Sequence, residues 1–276
     1  MQFIDGLSLL NKHDTEPFQI EKWTRYADLV YPGLALKCKN DSEVYSFSTD
    51  VLPIIVQTTK DWTRLQRLAE LFKEIEEELS NSVHILFDYE PDVLIILYLG
   101  LCNGAGWATK IGEQRVVLLG AEKILELSWD NKAKMQGLIY HELGHIWHEY
   151  EGASGFTYQS ASERAMQQLY REGIAMVCEQ ILCSDMTYYH QGEKWAVWCE
   201  ENIGRIKKEY FRRIENQESV REFYGDWNHY EGFSDVGYYL GAQFICYLMK
   251  YYSLKEIATL SYKELYQRFE AYASLE

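Results

Sequence analysis

Proline is scarce in this chain of 276 residues: four occur, at positions 17, 32, 53 and 91, and none follows. The last two thirds can therefore run through long helices without a proline break. The six cysteines are Cys38, Cys102, Cys178, Cys183, Cys199 and Cys246. None stands in a C-x-x-C pair, which excludes a zinc ribbon or a dithiol redox motif. No apolar stretch approaches the roughly 18 residues of a membrane span. The opening Met1-Gln2-Phe3-Ile4-Asp5-Gly6 lacks the basic region and apolar run of a secretory leader. The expectation is a cytoplasmic protein with reduced thiols and no membrane partner. Positive charge is also short, with 27 Lys and Arg against 42 Asp and Glu, a net charge of −15. Such a surface repels phosphate backbones, so nucleic acid is not expected as a partner. There is no internal repeat and no low-complexity tract.

Ordinary globular composition remains, with 47% hydrophobic and 25% charged residues. The length suits one large domain or two closely packed lobes. Residues 15–30 read as a helix that stops before Pro32-Gly33, and 44–57 read as extended. Residues 60–80 form an amphipathic helical pattern, with Asp61 as N-cap and Trp62, Leu65, Leu68, Phe72, Ile75 and Leu79 in register. Strands are expected over Val83–Tyr89, Val93–Leu99 and Arg115–Leu119, with a turn at Asn103–Gly106. From about Asp130 the pattern is helical over 130–151, 160–183, 191–216, 236–252 and 262–273, and Gly152 to Gly155 separates the first two. Strands followed by a run of helices predict an α+β fold: an N-terminal lobe over 1–128 with a small sheet, then a mainly helical lobe over 129–276.

Chemistry concentrates in Leu138-Ile139-Tyr140-His141-Glu142-Leu143-Gly144-His145-Ile146-Trp147-His148. Residues i and i+4 stack on one helix face, so His141 and His145 can bind one metal ion. Glu142 lies about 100° round the helix from His141, beside the ligands. Ile139, Tyr140, Leu143, Ile146, Trp147 and Tyr150 fall on the opposite, apolar side, which predicts histidines turned to a cleft. Three residues compete for a third ligand. His148 shares the face, but a straight helix carries it about 10 Å along the axis from His141. Glu163 and Glu172 are both on the next helix, on opposite faces. Glu172 is preferred, because Gly173 and Ala175 beside it allow two helices to approach closely.

H-E-x-x-H followed by Glu172-Gly173-Ile174-Ala175 resembles the gluzincin branch of zinc metallopeptidases. It is also similar to a group of bacterial predicted zinc-dependent proteases, in which a later G-Y-x-x-G-like element matches Gly237-Tyr238-Tyr239-Leu240-Gly241. Met176 departs from relatives that place an acid four residues after the ligand glutamate. The resemblance implies a zincin-like fold with the active-site helix at the cleft and one catalytic zinc on His141, His145 and Glu172. It also implies hydrolysis of a peptide or protein substrate by a metal-activated water, with Glu142 as general base. Tyr238 is the first choice as oxyanion donor, with Tyr239 and His229 behind it. The substrate would add as a strand at Gly106-Trp107-Ala108-Thr109 or Arg115–Leu119. The alternative is a catalytically inactive zinc-binding regulatory or interaction protein.

Overall fold

The structure is a computed structural model that describes residues 1–11, 18–41, 46–152 and 159–275. The chain forms two units, Met1–Glu142 and Leu143–Glu276. The first carries a four-stranded sheet made of β1 (Gln2–Asp5), β2 (Leu94–Tyr98), β3 (Gly106–Ile111) and β4 (Gln114–Gly120). Its order is β1-β2-β4-β3. The β1, β2 and β4 strands run parallel, with Ile95 opposite Phe3 and Val117, and β3 returns antiparallel along β4. Every residue of β2 is buried, as the middle of a parallel sheet requires.

Helices α1 (Ile20–Val30), α2 (Leu34–Asn40), α3 (Leu52–Lys60) and α4 (Trp62–Ser82) precede β2, and α5 (Ala121–Glu126) follows β4. In α4, Asp61 caps the first turn by accepting from the Arg64 N–H, and Leu65, Leu68, Phe72, Ile75 and Leu79 are buried as their spacing predicts. The stretch expected to be extended over 44–57 is helical where it is described, through a π-turn at Phe47–Val51 into α3. Val51, Ile55 and Thr58 are its buried residues, at helical spacing, and Pro53 fits the first turn. Val83–Tyr89 is not a strand either. A 3-10 turn at Val83–Ile85 ends α4 and buries Val83, Leu86 and Phe87. Residues 15–17, 44–45 and 153–155 of the expected elements lie outside the described residues.

The loop leaving β2 is held by one buried carboxylate. Glu122 accepts the N–H groups of Gly100 at 2.6 Å and Cys102 at 2.9 Å. Burial pushes its carboxyl above the usual range, and these backbone donors work against that. The loop they fix delivers the chain into β3.

Helix α6 (Lys132–Glu151) carries the division between the units. The second unit continues with α7 (Ala161–Leu182), α8 (Glu193–Glu215), α9 (Val236–Leu248), α10 (Leu254–Ile257) and α11 (Tyr262–Ser274). Its core is the crossing of α7 and α9. A Cβ on Gly173 would lie 2.5 Å from the Gly241 carbonyl oxygen, and one on Gly241 would lie 2.9 Å from Gly173 Cα. Only a glycine pair allows backbones this close. Tyr210 and Phe269 pack edge to face, as do Phe244 and Phe269, and all three rings are buried. Among the described residues no helix is long and apolar enough to cross a membrane.

Candidate metal centre

His141 and His145 sit one helical turn apart on α6. Ile139, Tyr140, Leu143, Ile146 and Trp147 are buried as expected, whereas Tyr150 is 40% exposed. The opposite side is not open. His141 is 7% exposed, Glu142 5% and His148 6%. This helix is enclosed around most of its circumference, so the apolar stripe alone does not describe it.

Glu172 reaches the same place from α7. Its Oε2 lies 3.2 Å from His145 Nε2. His141, His145 and Glu172 each offer one ligand atom, and these atoms all lie within 4.8 Å of one another. Tetrahedral zinc bound at about 2.0–2.1 Å sets its ligand atoms roughly 3.3 Å apart. The 3.2 Å pair already matches that edge, and two imidazoles with one carboxylate are an ordinary zinc donor set. The residues present therefore fit a zinc ion.

Small residues make this approach possible. A Cβ on Gly144 would lie 2.9 Å from Ala175 Cα and 2.8 Å from Cys178 Cβ. Gly144 in the motif and Ala175 after Glu172 thus let α6 and α7 touch at backbone distance beside His145 and Glu172. Gly173 serves the other side of α7, against Gly241.

The other two candidates for third ligand lie elsewhere. Glu163 forms a capping box with Ser160 at the start of α7. His148 stacks edge to face on Tyr170 with ring centres 4.7 Å apart, and burial pushes it down to about 3.

Glu142 has a definite partner. Its Oε2 accepts the Ala108 backbone N–H of β3 at 2.7 Å. A Cβ on Gly106 would come within 2.7 Å of its Oε1. The carboxylate therefore lies against β3 at Gly106 and Ala108.

Tyr238 is partly buried in the first turn of α9, and its ring meets Tyr224 edge on at 5.7 Å. Tyr239 is buried between Tyr189 and Trp195, and His229 is exposed in the segment before α9. Tyr210 and Tyr224 were not legible as candidates. Their hydroxyls are 2.9 Å apart, and Tyr210 donates to the Ala165 carbonyl at 2.8 Å. A hydroxyl has one proton, so Tyr224 must donate to Tyr210. Burial raises both, and the Glu172 charge raises them further. Nothing distinguishes these two in a chain with 22 tyrosines.

No protein-family model matches the chain, and no curated protein or solved structure matches it.

Proposed function

We propose that His141, His145 and Glu172 hold one zinc ion and that this centre is the protein's functional site. The observation that carries the proposal is the convergence of three donor atoms within 4.8 Å, on helices that meet at Gly144 and Ala175. Zinc is preferred over calcium or magnesium because two of the donors are imidazole nitrogens.

The contacts of Glu142 favour a zinc-binding protein with a regulatory or interaction role. Its Oε2 is engaged by a backbone N–H at 2.7 Å and the residue is 5% exposed, so it ties α6 to β3 as a structural carboxylate would.

A zinc metallopeptidase acting on a peptide or protein is the second reading. It is supported by the position of Glu142 next to a ligand in sequence, and by a three-ligand set that leaves a fourth zinc position for chemistry. When bound, the ion would supply a Lewis acid that polarises a carbonyl and acidifies water. Glu142 would take a proton at Oε1, the oxygen not held by Ala108, and hand it to the leaving amine. Tyr238 would donate its hydroxyl to the developing oxyanion.

Glu142→Gln separates the two uses. Zinc-loaded wild type and variant are incubated with an unfolded protein such as casein, and zinc content is measured on both. Under the interaction reading both keep zinc and neither cleaves. Under the peptidase reading the variant keeps zinc and loses about 10²–10⁴-fold in rate. Cleavage at the same rate by both would contradict a catalytic Glu142.

A further inference from the structure

The geometry points to a second task for Glu142: it guards the open edge of the sheet, and an extended peptide strand adding along Gly106–Ala108 displaces it. The β3 strand ends the sheet order, so among the described residues one of its sides meets no strand. Residues along an antiparallel pair alternate between hydrogen-bonded and non-hydrogen-bonded positions. The Gly120 N–H bonds the Ala105 carbonyl at 3.0 Å, which makes these two a hydrogen-bonded pair. By the register, Trp107 opposite Leu118 and Thr109 opposite Val116 are hydrogen-bonded too. The backbone groups of Gly106 and Ala108 then turn away from β4. The Ala108 N–H does so, because it reaches Glu142 Oε2 at 2.7 Å.

A carboxylate oxygen on an outward N–H occupies the place of a carbonyl from an added strand. Charged groups placed at sheet edges oppose strand pairing in just this way. Glu142 and an incoming carbonyl cannot both accept the one N–H in line. Gly106 reports the same closeness, since a Cβ there would lie 2.6 Å from Leu138 Cδ1 and 2.7 Å from Glu142 Oε1. The contested group is a backbone N–H, so the occupant is an extended peptide backbone recognised by β-augmentation. Its arrival exchanges Ala108 N–H···Oε2 for Ala108 N–H···O=C and releases the Glu142 carboxylate next to His141. Under the peptidase reading the base is freed only when a peptide is in place. Under the interaction reading the same exchange makes Glu142 a latch that responds to a peptide. The consequence rests on the proposed zinc centre, but the contact does not.

The test uses a capped hexapeptide of alternating lysine and valine, cationic against a chain of net charge −15 and strand-forming. Its affinity is measured calorimetrically for wild type, Glu142→Ala and Ala108→Pro, with zinc content recorded on each sample. Proline removes the outward N–H, and with it the Glu142 contact, a loss that an edge strand tolerates. Glu142→Ala should bind at least five-fold tighter than wild type, and Ala108→Pro at least five-fold weaker than Glu142→Ala. In wild type, the Ala108 amide resonance should shift as peptide is added, which gives a reading that needs no variant. Equal affinities of wild type and Glu142→Ala, a stationary Ala108 resonance, or no binding to either protein would overturn the guard. Zinc missing from all samples while the affinities differ as predicted would count against the metal centre and leave the guard standing.

Discussion

Replacing Gly144 by alanine should weaken zinc binding without touching a ligand. A methyl group there would lie 2.8 Å from Cys178 Cβ, 2.9 Å from Ala175 Cα and 3.0 Å from the Ala175 carbonyl oxygen. Carbon atoms rest at about 3.5–4.0 Å, so α6 and α7 must part by roughly 1 Å. Two of the three neighbours are backbone atoms that have no rotamer to yield. His145 follows Gly144 directly, and Glu172 precedes Ala175 by one turn. Their 3.2 Å separation would then open towards 4 Å, a change of about 0.8 Å. Zinc sites tolerate about 0.2 Å in ligand distance. Affinity should fall about 10–100-fold, the range seen when residues supporting ligands are changed. Stability sets up a contest of sign. Alanine favours a helix interior over glycine by about 1 kcal/mol, and overpacking costs about 1–3 kcal/mol. The metal-free variant should be less stable than wild type by about 1 kcal/mol. Zinc affinity is read by competition with a chromophoric chelator, and stability by urea unfolding of metal-free protein. Unchanged affinity together with a more stable variant would refute the idea that Gly144 sets the ligand spacing.

Two further substitutions address the second unit. Burial raises the Asp235 carboxyl to about 6, helped by the Asp226 charge and opposed by the Gln191 amide at 3.3 Å. The folded state thus keeps a proton that the unfolded chain releases near 3.9, so the stability this group contributes should be fully present below about pH 4 and be lost between about 4 and 6. Asp235→Asn tolerates the left-handed backbone at φ 60°. Its thermal midpoint should exceed that of wild type at pH 7 and match it near pH 4, and parallel pH profiles would contradict the assignment. Gly173→Ala drives a methyl group to 2.5 Å from the Gly241 carbonyl oxygen. A loss of about 3 kcal/mol in urea unfolding is expected, and a neutral result would show that α7 and α9 do not cross so closely.

The helices after Asp130 were legible because their apolar residues recur at helical spacing without proline. Bounds expected at 160–183 and 191–216 are found at Ala161–Leu182 and Glu193–Glu215. The convergence of His141, His145 and Glu172 was legible on other grounds: His141 and His145 are local to one helix, and Glu172 could be chosen by the small residues around it. Errors fell where an apolar run fits either period. Val51 to Val56 is rich in β-branched residues and reads as a strand, yet burial of Val51, Ile55 and Thr58 follows a helix. The four residues of β1 carry no comparable signal, because their pairing partner Leu94–Leu97 is some ninety positions away. The partner of Glu142 is a backbone N–H, which has no side-chain identity to read. The burial of Glu122 was equally hidden, since a glutamate early in a helix ordinarily faces water.

The most direct measurement is zinc content by elemental analysis of protein purified without chelators, for wild type and Glu172→Ala side by side. About one zinc per wild-type chain is expected, with a marked loss in the variant. Wild type without zinc would contradict the metal centre, and a variant that keeps its zinc would remove Glu172 from it.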